Sequence, residues 1–270
     1  MNMKLSGAQL VLVPIKTIGR NYFPYVEHIA NKVVKFIDFA PMALLPGTTA
    51  SGLTTDSDLY VTIMDENGVK ELHKQLPLER LNYTATIGVR QPIFKKIQMD
   101  SCCIDCQNPA AVGKVAALVF WYDLPQYSTS YGDKITQPNK VKSADLQTDA
   151  IEIAITNITQ FNVLPDSDRL AGKRFRRILL GKPSVTPDKN VGLGTAELQN
   201  CYLTLRKGTY NVLADCPISL LYQLQMLEKA EFQNIIFDFQ SSYVTIGGAG
   251  TVTPSDYVGK YIFMNLQYEA

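Results

Sequence analysis

Histidine is almost absent from this sequence: His28 and His73 are the only two. They stand far apart in the chain, and neither has an acid–nucleophile pattern beside it. We read both as ordinary surface or interface residues, although a triad assembles across a fold and spacing alone leaves that route open. An excess of either charge is missing too, with 26 Lys and Arg against 25 Asp and Glu. The balance holds within each half, without a basic tail or an acidic block. That gives no nucleic-acid signal and implies no sequence-specific nucleic-acid partner. The first residues, Met1 to Gly7, lack the apolar core of a secretion signal. No apolar run approaches the roughly 20 residues a spanning helix needs. The expectation is a chain soluble when made, with any membrane contact at a surface. Cysteine totals five, an odd number, which argues against a secreted disulfide framework and for reduced, packed thiols.

What the sequence does contain is one stretch written twice. Val112-Gly113-Lys114 leads into Val115 to Tyr122 and then Asp123; Val258-Gly259-Lys260 leads into Tyr261 to Tyr268 and then Glu269. The glycine suits a tight turn, and the apolar, β-favouring residues after it suit a packed strand. Other segments recur in the same order. Leu10–Ile15 matches Ile151–Thr156 at an offset of 141, and Lys32–Asp38 matches Lys173–Leu179 at the same offset. Leu59-Tyr60-Val61-Thr62-Ile63 matches Cys201-Tyr202-Leu203-Thr204-Leu205, an alternation typical of a half-buried strand. Asn67-Gly68 and Lys207-Gly208 then mark hairpin turns. Pro77 and Pro217 each precede an apolar run that reads as a short helix, with Leu220, Leu224 and Leu227 at helical spacing. Phe94–Asp100 and Phe232–Asp238 read as a further strand pair. Gly19-Arg20-Asn21 reads as a turn, and Ser101–Pro109 and Gly247–Pro254 as loops of unequal length.

Order, offset and special residues preserved together imply tandem duplication. The length suits two domains of about 130 residues each. We expect an all-β chain, mostly strand with one short helix per domain, built as two tandem jelly-roll β-sandwiches. The boundaries read as an N-terminal jelly roll over 1–125, a linker over 126–149 rich in Ser, Thr, Gln, Gly and Pro, and a C-terminal jelly roll over 150–270.

Clusters that invite chemistry have plainer readings. Cys102-Cys103-x-x-Cys106 lacks the second half-site that a closed zinc centre wants, so we read a reduced loop packed against a strand end. Thr55–Asp58, Asp65–Gly68 and Pro165–Asp168 gather oxygens that suit calcium, but such residues also build turns. Lys173-Arg174-Phe175-Arg176-Arg177 is the one basic concentration, able to face phosphate groups, and its alternation within a strand suggests a solvated or interface face. Gly247-Gly248-Ala249-Gly250 lacks the lysine and helix of a phosphate loop and reads as a flexible excursion. Trp121, the single tryptophan, reads as core or domain interface. No catalytic, cofactor-binding or metal residue is expected, and no cofactor apart from structural calcium.

With two consecutive sandwiches in one short chain, the sequence resembles the double jelly-roll major capsid proteins of tailless, membrane-containing icosahedral phages (tectivirus, corticovirus and finnlakevirus types). The resemblance covers the whole chain and rests on length, repeat pattern and architecture. It implies a structural protein, not an enzyme, made in the host cytoplasm and placed in the virion capsid. Its partners would be itself, as a homotrimer among neighbouring capsomers, with penton or minor capsid proteins and an internal membrane surface. The loops 40–58, 181–198 and 247–255 would form towers, rims and contacts between capsomers. Two other readings remain: a carbohydrate- or receptor-binding sandwich, for which Tyr127 and Tyr131 are the only paired loop aromatics, and a two-jelly-roll amide hydrolase with carboxylates at the domain interface.

Overall fold

The structure, a computed structural model, describes residues 3–5, 7–82, 93–122, 146–180, 190–226, 230–232, 235–248 and 251–269. It is mostly β, as the sequence leads one to expect, with short helical turns between strands. The first half contains β1 (Met3–Leu5), β2 (Gly7–Pro14), β3 (Gly19–Tyr22), β4 (Val34–Ala40), β5 (Leu59–Met64), β6 (Glu71–Pro77), β7 (Cys103–Cys106) and β8 (Val115–Tyr122). The second contains β9 (Leu146–Ala154), β10 (Asn162–Val163), β11 (Phe175–Leu180), β12 (Cys201–Lys207), β13 (Tyr210–Pro217), β14 (Ala230–Phe232), β15 (Tyr243–Ile246) and β16 (Tyr261–Glu269). Helix α1 (Thr195–Leu198) precedes β12, and α2 (Ile218–Met226) follows β13 directly after Pro217.

Both halves use one strand order. In the first, β2-β8-β4 forms one layer and β3-β7-β5-β6 the other; in the second, β9-β16-β11 and β10-β15-β12-β13 stand in the same places. The layers are antiparallel, and a parallel ladder between β13 and β2 joins the two halves into one seven-stranded sheet. Strands β8 and β16 are the duplicated stretch. Gly113 and Gly259 precede them at φ 87° and 84°, a region where a side chain is disfavoured. Strand β8 is buried at every position, which its unbroken apolar run requires. Strand β5 alternates buried and half-buried residues, as its Tyr-x-Thr pattern implies.

One contiguous apolar core runs through both halves, with an aromatic grouping in each. In the first, Phe23 meets Phe120 edge-on at 6.0 Å. In the second, Phe175, Phe237 and Phe239 form a cluster with centroids 4.8 to 6.2 Å apart. Such ring pairs contribute about 0.5–1.5 kcal/mol each beyond area burial. Trp121 is fully buried; it packs on Phe36 and its Nε1 donates to Asp38 Oδ2 at 2.8 Å.

Several sequence expectations need correction. The first strand pair is offset by 140, because Val11 faces Leu118 where Ile151 faces Met264. A shift of one residue reverses the faces, and the corrected match puts Val11, Val13 and Ile15 on Ile151, Ile153 and Ile155. Gly19-Arg20-Asn21 is strand β3, not a turn. Phe94–Asp100 is no continuous strand: Lys95 and Ile97 make isolated bridges, and a 3-10 turn begins at Met99. Of Phe232–Asp238, residues 233 and 234 lie outside the described residues, and the rest comprises the end of β14, a bridge from Ile235 to Phe175 and non-strand residues 236–238. Cys103–Cys106 is strand β7, so the cysteine cluster lies mostly in a strand and not in a loop. After Pro77 the helix shortens to a 3-10 turn over Leu78–Leu81. Strand β9 starts at Leu146, inside the span expected as linker; residues 126–145 of that span lie outside the described residues, as does Leu227.

Candidate functional site

A buried asparagine closes the same corner in both halves. Asn21 Oδ1 accepts from the N–H groups of Lys16 and Thr17 at 2.7 and 3.2 Å. Its Nδ2 donates to the carbonyls of Thr17 and Gly19, both at 2.9 Å, and of Ile104 at 3.5 Å. Asn162 Oδ1 accepts from Thr156 and Asn157 at 2.8 and 3.1 Å, and its Nδ2 donates to Asn157, Gln160 and Val244 at 2.8, 3.4 and 3.3 Å. Each plug saturates backbone groups that burial would otherwise leave unpaired. The hairpin that follows is duplicated as finely. Gln75 and Asp215 sit at φ 47° and 48°, and their N–H groups donate to Thr62 and Thr204 Oγ1 at 3.3 and 3.1 Å.

The two halves meet at two parallel ladders and a crossing loop, the first ladder pairing Met3–Leu5 of β1 with Ala230–Phe232 of β14. Leu213 and Ala214 of β13 pair in parallel with Ala8 and Gln9 of β2. The loop after β4 crosses to the second half, where Tyr202 Oη donates to the Leu44 carbonyl at 2.6 Å and the Gly248 N–H donates to Leu45 at 3.2 Å. A Cβ on Gly247 would stand 2.9 Å from both the Leu44 carbonyl oxygen and the Tyr202 ring. Gly247 and Gly248 are therefore buried seats for a crossing backbone, not a flexible excursion; Ala249 and Gly250 lie outside the described residues. Beside this contact opens a cleft of about 540 Å³ lined by Gly47–Thr49, Ile158–Phe161, Thr245, Ile246 and Gly248, with no carboxylate among these residues. Exposed Phe161 stacks on Tyr243 at its rim, 4.1 Å between centroids.

Where each half meets the other, its strands are buried; the equivalent strands on the outside are not. Strand β6 matches β13 but carries exposed Glu71, Lys74 and Gln75. Strand β9 matches β2 but exposes Gln147, Thr148 and Ala150. Both are edge strands among the described residues. Lys74 pairs with Glu71 at 3.2 Å, while Asp149 is held by Arg169 and accepts from Tyr268 Oη at 2.7 Å.

The clusters singled out in the sequence fall on separate elements. His28 lies in an exposed turn and His73 in β6. Cys102, Cys103 and Cys106 are all buried and free; Cys102 Sγ donates to the Gln98 carbonyl, and burial pushes its thiol up to about 12. A thiol held protonated is a poor metal ligand. Among the described residues no three His, Cys, Asp or Glu side chains are grouped to hold a metal ion. The acid-rich turns spend their oxygens on the chain itself. Asp65 accepts from Lys70 and Val69 N–H, and the Lys70 bond chiefly holds its carboxyl below the usual range. Asp56 accepts from Asn82 Nδ2 at 2.7 Å, and Asp166 from Gln240 Nε2 at 2.7 Å. In the basic segment Lys173 lies over the Tyr268 ring, Arg174 is exposed, and Arg176 and Arg177 are half-buried. Of the loops expected as rims, 40–58 is in part the inter-half crossing and 181–189 lies outside the described residues, as do Tyr127 and Tyr131.

The asparagine plugs and the crossing loop escaped sequence reasoning, though one signal was present: Asn21-Tyr22-Phe23 and Asn162-Val163-Leu164 keep the offset of 141. No described helix is long and apolar enough to cross a membrane. Comparison with protein-family models, with curated proteins and with solved structures finds no match.

Proposed function

We propose that this chain is the structural subunit of a viral shell, a double jelly-roll major capsid protein that assembles as pseudo-hexagonal homotrimers. The observation that carries the reading is the repeat itself: one two-layered strand order used twice, with the copies joined side by side through β13 and β2. Two similar bodies in one chain give three chains six similar walls, a shape that tiles a surface. The contact between copies is heterologous, the kind that closes into rings when its rotation permits. The domains on this reading are the two jelly rolls, with neighbouring capsomers, penton or minor capsid proteins and an internal membrane surface as partners in the virion. Polar outer edges fit lateral contacts weak enough to correct themselves during assembly.

Multi-angle light scattering on the purified chain should give three times the chain mass, and negative-stain images should show hexagonal outlines. A monomer persisting at high concentration counts against the proposal.

A second reading, glycan binding, is favoured by the stacked Phe161–Tyr243 pair at the rim of the threonine-lined cleft. Binding on a glycan array that is lost in Phe161→Ala would support it. Silence across the array would remove it.

A further inference from the structure

We infer that the chain adds to a second copy of itself edge to edge: β6 of one copy lies parallel to β9 of the next, repeating between chains the ladder that β13 and β2 make within one. This rests on the self-assembly reading above and names the contact surface that reading needs.

The internal ladder is the template. Strand β13 is the fourth strand of its layer and β2 an outer strand of the other layer's type, and they pair Leu213 with Ala8 and Ala214 with Gln9. Each strand of that ladder has a duplicate, β6 for β13 and β9 for β2, that ends its sheet among the described residues. The cross-strand register equates Leu213 with His73, since each faces the matching residue of its hairpin partner, Leu205 and Ile63. It equates Ala8 with Thr148, since these face Trp121 and Gln267, which share a place in the duplicated stretch. Carried over, the inter-chain register sets His73 against Thr148 and Lys74 against Asp149.

Two further observations agree with that register. Both strands end their sheets among the described residues, so their outer N–H and C=O groups are placed to extend a ladder, as edge strands do. The register also brings Lys74, which pairs with Glu71 inside the chain, opposite Asp149, which Arg169 and Tyr268 already hold, so the ammonium would join an existing ion pair. The internal junction has the uncharged pair Ala214 and Gln9 in that place. Opposite charges directly across a ladder favour it. The internal contact is apolar and permanent; its external copy is polar and reversible. One chain therefore offers a β6 edge to one neighbour and a β9 edge to another, a head-to-tail arrangement that grows until the ring closes.

Cysteine cross-linking tests the register. Parallel neighbours lie about 4.8 Å apart, inside disulfide reach, and all five native cysteines are buried. His73→Cys chains mixed with Thr148→Cys chains should give a disulfide-linked dimer on oxidation that neither variant gives alone. The double variant should give linked species that stop at three chains. Leu72→Cys with Gln147→Cys repeats the test one residue along, in case either first variant folds poorly. Links of 73 to 73 or 148 to 148 would show a two-fold contact and overturn the inference. A trimer by light scattering with no 73–148 link would overturn the strand pairing and leave the trimer standing; a chain that stays monomeric would overturn both.

Discussion

At equivalent positions β13 carries Val212, Leu213, Ala214 and Asp215, while β6 carries Leu72, His73, Lys74 and Gln75. The backbones agree closely, down to the positive φ of the last residue in each set and the threonine hydroxyl that receives its N–H. The surfaces do not. Leu213 and Ala214 are buried against the other half; Lys74 and Gln75 are exposed. The same contrast separates Ala8, at 0% exposure, from its exposed counterpart Thr148. The two halves share what each needs to close its own layers and differ in what each presents outward. Fold and association are therefore written in different residues of the same strands.

The sharpest way to break that comparison is to truncate the same position in both strands. Leu213→Ala removes a fully buried side chain at the junction and should cost about 2–5 kcal/mol by the usual scale for core truncation. His73→Ala, half-buried at the matching place on an edge, should cost less, about 0.5–1.5 kcal/mol. Urea unfolding followed by tyrosine fluorescence would measure both. Equal losses would mean that β6 is as deeply engaged in the isolated chain as β13, and the contrast between inner and outer edges would fail.

A smaller effect should be equal in the two halves. Asn21→Ala and Asn162→Ala each strip a buried plug whose two sides serve several backbone groups. Leaving such groups unpaired should cost about 1–3 kcal/mol. Calorimetry on each variant would show one shifted transition if the halves unfold together through the seven-stranded sheet, or a different shifted transition for each if they do not. A loss in one half alone would mean that the two plugs, though alike in geometry, do unlike work.

The parts legible in the sequence are those set by local pattern. Val-Gly-Lys before an apolar run gives β8 and β16, the Tyr-x-Thr alternation gives β5 and β12, and a proline after a strand gives the turn after β6 and the helix after β13. What was not legible depends on partners distant in the chain. Arg20 and Asn21 carry turn-like polar side chains, yet they form a strand because β7 pairs with them. Phe94 to Asp100 looks like a strand by composition, but only single bridges hold it. The offset of the first strand pair was ambiguous by one because Leu10, Val11, Leu12 and Val13 are all apolar, and only pairing with β8 fixes which of them face inward. Gly247 and Gly248 announced an unusual backbone without saying that Leu44 was the neighbour requiring it. The edge strands were hidden for a similar reason: a polar strand reads alike whether it faces water or a second chain.

The smallest expected effect concerns Asp215, whose counterpart Gln75 is neutral at nearly the same backbone angle. Burial raises the Asp215 carboxyl above its ordinary range, and the Thr204 hydroxyl, 3.3 Å away, offsets this only in part. A carboxyl raised in the folded state holds its proton more tightly there than in the unfolded chain. Its contribution therefore favours folding at low pH and is lost as pH rises from the ordinary value near 3.8 through the raised one. Asp215→Asn keeps the shape and removes the charge, so it should stabilise the chain at neutral pH by about 1 kcal/mol or less and match the parent in strong acid. Melting curves of parent and variant across mildly acidic to neutral pH should diverge as pH rises. Parallel curves would mean that the Asp215 carboxylate is solvated in the folded chain, and that the two hairpins differ less in environment than their sequences suggest.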